Sequence, residues 1–113
     1  MIEDDADTLD ALRVTLELDG HRVDTAESGR RGLEVALSRR PEVVLIDIGL
    51  PGIDGYEVAR RLRQELGPDV MLVALSGYGQ HDDHRRARGA GCDRHLLKPV
   101  DRAALRRVLA SER

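Results

Sequence analysis

The chain has 113 residues, 41% of them apolar, and a formal net charge of −3. That is long enough for one domain with a single buried core, and the balance of charge argues against general nucleic-acid binding. With two Tyr and no Phe or Trp, stacking on bases or sugars is excluded as a main mode of recognition, and the core must be aliphatic. The single cysteine, Cys92, can form neither a disulfide framework nor a zinc quartet, which fits a reducing cytoplasm and a packing role. The longest apolar run, 71–75, is too short to span a bilayer, so no membrane association is expected. No signal peptide is expected either, since acid stands where a basic segment would.

The opening MIEDDAD places Glu3, Asp4, Asp5 and Asp7 behind only two apolar residues. Residues 6–18 read as a helix: Leu9, Leu12 and Leu16 recur at helical spacing, Asp5 is a suitable N-cap with Asp7 in the first turn, and Gly20 is a stop. Residues 22–26 make a short strand candidate. A second helix is expected over 28–38, with Leu33, Ala36 and Leu37 as its apolar stripe. The run 43–46 is continuously aliphatic after Pro41 and ends at Asp47, the pattern of a parallel strand covered on both faces. GLPGIDG follows as a Gly- and Pro-rich loop, without the Gly-Lys-Ser/Thr ending of a P-loop.

A third helix is expected over 56–64, with Val58, Ala59 and Leu62 inward and Gly67-Pro68 as the break. Residues 70–75 are a second buried strand leading to Ser76-Gly77. Residues 80–88 are polar and helical. Their His81 and His84, three apart with no third ligand, read as a solvated face, as do Arg85, Arg86 and Arg88. A last strand over 94–97 stops at Lys98-Pro99, and Asp101 caps a final helix striped by Leu105, Val108 and Leu109.

Alternating strands and helices imply a parallel sheet with helices on both faces, and in such sheets chemistry collects at the carboxyl ends of the strands. Asp47, Ser76 and Lys98 each directly follow a hydrophobic run, and Glu3 and Asp4 do so if Met1-Ile2 is the tail of a strand. Carboxylates brought that close repel: two unit charges 4 Å apart cost about 4 kcal/mol at an effective dielectric of ~20. A cation is the natural remedy, and oxygen ligands select Mg²⁺, which shares its shell with phosphate. A lysine and a serine beside it add donors for phosphoryl oxygens, and a carboxylate can itself be the nucleophile. Lys98 is the only lysine beside 17 arginines, which suits a position needing a compact point charge. The residues thus describe a Mg²⁺-dependent phosphoryl-accepting site with Asp47 as acceptor.

EDD near the start, VVLIDIGLPGIDG in the middle, then ALSG and LLKP, in this order, resemble the receiver domain of two-component response regulators over nearly the whole chain. The wording ALSGYGQ and DIGLPG is similar to receivers of hybrid sensor kinases. The resemblance implies a flavodoxin-like α/β fold of strand order 2-1-3-4-5 and one receiver domain over residues 1–113. It implies Asp47 as the phosphorylated residue and Glu3, Asp4, Asp47 and the Gly49 backbone carbonyl as Mg²⁺ ligands. Ser76 and Lys98 would engage the phosphoryl group, with a cis Lys98–Pro99 bond and a small Gly77 leaving room for the donor. It also implies a histidine kinase or histidine phosphotransfer domain as donor, and an effector protein or fused kinase as the recipient of the signal, with no direct nucleic-acid contact. Such a module is no enzyme beyond its own phosphorylation and dephosphorylation.

Two residues depart from the family pattern. His95 stands where the switch aromatic is usual, and it can charge near neutral pH. Gly49, two beyond the acceptor, has no side chain to orient water. A degenerate receiver that binds partners without phosphorylation is an alternative. A haloacid-dehalogenase-like phosphatase is another, although it wants a second aspartate where Gly49 stands. The first strand in the resembling fold is central, and here only Met1 and Ile2 remain of it. The expectation is a short or absent first strand, an exposed slot beside residues 43–46, and either a natural start upstream or a truncated fragment.

Overall fold

A computed structural model describes residues 1–49, 54–77 and 89–110. The described elements are α1 (Ala6–Leu18), α2 (Gly29–Arg39), β1 (Val43–Asp47), α3 (Gly55–Leu66), β2 (Met71–Ser76), β3 (Arg94–Leu97) and α4 (Arg102–Ala110). The three strands are parallel in the order β1-β2-β3, with Val43 opposite Met71 and Ser76 opposite Leu97. The expected helix over 80–88, with His81, His84 and the three arginines, lies outside the described residues, as does most of the GLPGIDG loop.

Strand periodicity sorts the core into two layers. Val44, Ile46, Leu72 and Ala74 face α2 and α3, joining Leu33, Ala36, Val58, Ala59 and Leu62. Leu45, Met71, Val73 and Leu75 face the other way, against Leu12 and Leu16 of α1 and Leu105 of α4. Cys92 packs in the first layer, and burial pushes its thiol up to about 11, which makes it inert. Leu37 is 39% exposed rather than inward. Gly29 and Gly32 take the buried face of α2 instead. Gly32 sits directly beneath Ile2, whose Cδ1 would lie 2.3 Å from a Cβ at that position.

Helix ends follow their caps. The Asp5 carboxylate accepts the Thr8 N–H, Ser28 accepts that of Arg31, and Asp54 that of Glu57. The expected helix over 56–64 therefore begins a residue earlier and runs two residues further, to Gly67 at φ +79°. Asp19 at the end of α1 accepts from Arg102 and Arg106, which ties α1 to α4. Across the other face, the Arg63 guanidinium donates to the carbonyls of Gly67, Val70 and Gly91 and to Asp93 Oδ2. No described helix is long and apolar enough to cross a membrane.

The strand expected over 22–26 does not form. Only Ala26 pairs, in a single parallel bridge to Ile2, and Ile2 makes a second parallel bridge to Ile46. Ile2 donates to the Leu45 carbonyl at 2.8 Å and accepts from Asp47 N–H at 2.8 Å; Ala26 N–H donates to the Met1 carbonyl at 2.9 Å. A strand needs a continuous partner, and two residues provide a ladder of one rung, so residues 22–25 stay irregular. Below that rung lies an open slot of about 590 Å³ beside Val43–Leu45, where the short first strand leaves it.

Candidate functional site

Hydrogen bonding to its neighbours draws the end of β1 tight. Ile48 N–H donates to the Leu75 carbonyl, and Gly55 N–H to the Ile48 carbonyl. A Cβ on Gly55 would lie 2.3 Å from the Asp47 carbonyl oxygen, so glycine lets α3 start directly against the backbone that carries Asp47. Ile2 holds Glu3 and Asp4 to the same edge through its bridge to Ile46. Lys98 arrives from the end of β3, its N–H donating to the Ser76 carbonyl at 2.7 Å, ahead of a cis Lys98–Pro99 bond.

Four of the charged groups that the sequence singles out meet here. Carboxylate oxygens of Glu3, Asp4 and Asp47 lie within 4.8 Å of one another. Glu3 and Asp47 are buried and Asp4 is exposed. The Lys98 Nζ lies 2.6 Å from Glu3 Oε2 and 3.1 Å from Asp47 Oδ1. Asp5 N–H donates to Glu3 Oε1, and Gly49 N–H to Asp47 Oδ1 at 3.0 Å.

Titration reflects the crowding. Burial pushes the Glu3 carboxyl up, against the opposing pull of Lys98 and the Asp5 amide, and Asp47's charge adds to the rise. Asp4 is pushed up by partial loss of water and by the hydrogen bond and charge of Asp47. Burial draws Lys98 down, but its bonds to Glu3 and Asp47 outweigh that, and its net displacement is upward. Among the described residues one cation faces three carboxylates, a set short of positive charge.

The donor set fits Mg²⁺. Among the described residues the grouped side-chain ligands are all hard oxygens, two of the three carboxylates are buried, and the cluster opens to solvent at Asp4, where retained waters can sit. Ser76 is fully buried and stands apart from the carboxylates in one respect: its Oγ lies 2.7 Å from His95 Nε2. In this structure the Ser76 hydroxyl is engaged by His95. Sequence reasoning did not single out Gly55 as the residue that sets the height of Asp47. The signal was available only as a glycine after an acidic cap, a pattern that also describes an ordinary loop.

Comparison with known proteins gives the class. The model of the response regulator receiver domain family matches residues 1–110. The chain belongs to that family, the receiver domains of two-component response regulators. Among relatives, it is 40% identical to the transcriptional regulatory protein AfsQ1 of Streptomyces coelicolor, over 95% of this chain and 50% of that protein. It is 39% identical to the KDP operon transcriptional regulatory protein KdpE of Escherichia coli, over 98% of this chain and 52% of the relative. The chain thus spans about half the length of these regulators.

Among solved structures, it resembles the receiver domain of the sensor histidine kinase PA1611 from Pseudomonas aeruginosa PAO1, a structure with a magnesium ion coordinated in its active-site cleft. That similarity has a TM-score of 0.86 and 31% identity, over 96% of this chain and 89% of the other. The flavodoxin-like α/β class expected from the sequence is the class observed.

Proposed function

We propose that this chain is the phosphoacceptor of a two-component phosphorelay, and that Asp47 takes the phosphoryl group. One observation carries the reading: Glu3, Asp4 and Asp47 converge with Lys98 at the carboxyl edge of the sheet. The donor would be a phosphohistidine on a histidine kinase or a histidine phosphotransfer domain. An Asp47 carboxylate oxygen attacks phosphorus, the P–N bond breaks, and the imidazole leaves with a proton, giving an acyl phosphate on Asp47.

Glu3, Asp4, Asp47 and the Gly49 carbonyl would hold Mg²⁺, which supplies positive charge to the phosphoryl oxygens. Lys98 already stands at Asp47 Oδ1 and supplies a second positive charge to a phosphoryl group there. Ser76 would donate its hydroxyl proton to a phosphoryl oxygen, either accepting from a protonated His95 Nε2 or released from it, so phosphorylation and the position of His95 on β3 are linked through one hydroxyl. That link is the route to a change at the β3 edge and to altered binding of an effector or fused kinase. The transcriptional regulators that resemble this chain make control of transcription the favoured class of output.

Incubation with a small phosphodonor and Mg²⁺, read by intact mass, tests the reading. An adduct on the unmodified chain that is absent from Asp47→Asn and lost on chelation of Mg²⁺ is expected. No adduct on the unmodified chain, or one that survives Asp47→Asn, refutes it and leaves a phosphorylation-independent interaction module.

A further inference from the structure

Ser76 and His95 form a polar pair on an otherwise apolar face of the sheet. Ser76 is fully buried at the end of β2, and the register sets Ala74 opposite His95 and Leu97 opposite Ser76. Alternation along the strands turns Leu75 and Leu96 toward α1 and α4 and leaves His95 on the face of Ala74 and Ser76. Between Ser76 Oγ and His95 Nε2, 2.7 Å apart, there is room for one hydrogen. Either the hydroxyl donates and the ring nitrogen accepts, or Nε2–H donates and Oγ accepts. In the first arrangement the single Ser76 proton is directed at His95. In the second it is available to a third group. A neutral imidazole allows either, according to its tautomer, whereas an imidazolium allows only the second. Among the described residues, the charged groups around this pair are themselves partnered. On β3, Arg94 donates to the Asp93 carbonyl and Lys98 pairs with Glu3 and Asp47; from α3, Arg63 pairs with Asp93. Tyr56 of α3 lies in the same layer as Ala74, and β2 carries no acidic or basic side chain.

We propose that His95 is a positioning residue for phosphoryl capture at Asp47, acting through Ser76: its neutral ring accepts the Ser76 proton, and its protonated ring turns that proton toward the phosphoryl group. The proposal rests on the phosphoacceptor reading of Asp47, with Ser76 as a donor there. The transfer itself is unchanged. The P–N bond of the donor breaks, the O–P bond to Asp47 forms, and the one addition is a proton taken from solvent onto the His95 ring. Nε2–H then donates to Ser76 Oγ while the Ser76 O–H donates to a phosphoryl oxygen, so the 2.7 Å contact need not break. The negative charge arriving with the phosphoryl group favours the imidazolium in turn. Protonation thus favours the arrangement that phosphorylation needs. The help from Ser76 is fully present below the titration of the histidine and is lost as pH climbs through it, within about pH 5 to 8.

The test is the rate of Asp47 phosphorylation by phosphoramidate with Mg²⁺, read by intact mass from about pH 5.5 to 8.5 on the full chain and on His95→Phe and His95→Gln. Dividing the parent's rate by each variant's cancels the pH dependence of the donor. In His95→Phe the Ser76 hydroxyl has no ring nitrogen to serve. The parent should therefore be about fivefold slower than this variant near pH 8.5, the size of one hydrogen bond, and draw level near pH 5.5. His95→Gln keeps a polar group without a titration, so its rate relative to His95→Phe should be constant with pH. In the parent alone, the ring ¹⁵N resonances of His95, assigned by their absence from His95→Gln, should move toward imidazolium values when the chain is held phosphorylated at about pH 7. No adduct on the parent at any pH defeats the phosphoacceptor reading, and this proposal with it. An adduct whose parent-to-variant ratio is the same at every pH, or His95 resonances that do not respond to phosphorylation, overturns the role of His95 and leaves that reading standing.

Discussion

Replacing Lys98 with methionine removes the ammonium that pairs with Glu3 and Asp47 while keeping an apolar stem of similar length. Glu3 is 1% exposed and its side chain sits 2.6 Å from the Lys98 Nζ; Asp47 is 3.1 Å away on the other side. Without the ammonium, Glu3 and Asp47 face each other with oxygens within 4.8 Å. At that distance and an effective dielectric of ~20 their repulsion is about 3.5 kcal/mol. Lys98 is itself about a fifth exposed, so water takes up part of the lost charge, and the expected net destabilisation at pH 7 without metal is roughly 2–3 kcal/mol. For a chain of this size that lowers Tm by roughly 10 °C.

Two further measurements identify the cause. Glu3 is already raised above its ordinary value near 4.5 by burial, and losing Lys98 raises it further. A raised folded-state carboxyl stabilises below its unfolded pKa and loses that contribution as pH climbs through the folded value. The deficit of Lys98→Met should therefore be smallest near pH 4.5 and widen toward neutrality. Mg²⁺ should also raise the Tm of the variant more than that of the parent, because no ammonium competes for Glu3. At ten times its Kd, linkage gives about 1.4 kcal/mol. Thermal melts by circular dichroism, with and without Mg²⁺ at several pH values, read all of this. A variant as stable as its parent at pH 7 in chelator, or one whose deficit is independent of pH, would refute the reasoning.

Gly55→Ala should destabilise by roughly 1–3 kcal/mol and slow phosphorylation at Asp47, because its Cβ meets the Asp47 carbonyl at 2.3 Å and the Ile48 Cα at 2.7 Å; Gly49→Ala, with its Cβ 3.8 Å from Asp47 Oδ1, should melt within ~0.5 kcal/mol of the parent. Arg63→Ala should cost roughly 2–3 kcal/mol in urea unfolding, since it strips the Gly67, Val70 and Gly91 carbonyls of a charged donor and leaves Asp93 without its 2.7 Å partner.

Much of the fold is legible from single residues. Asp5 capping Ala6–Leu18 and the aliphatic runs ending at Asp47 and Ser76 depend on local chemistry, namely a side chain satisfying its own helix's N–H groups and a period of apolar residues too short for a helix. The candidate site was legible for a related reason. Parallel strands deliver whatever follows them to one edge, so Glu3, Asp4, Asp47 and Lys98 could be grouped without knowing any distance.

What the chain by itself did not determine depends on partners distant in sequence. Residues 22–26 have the composition of a strand but form none, because a strand exists only against a neighbour and Met1-Ile2 offers a single rung. Leu37 fits the apolar stripe of α2 yet is partly exposed, because Gly29 and Gly32 share the buried face with Leu33 and Ala36. The engagement of Ser76 by His95 rests on a register between β2 and β3 that neither strand encodes alone. Local propensity and spacing decided which segments are helix or strand and which residues share an edge. Tertiary packing decided which hydrogen bonds they make there, because the partners' backbone groups become available only once the sheet has formed.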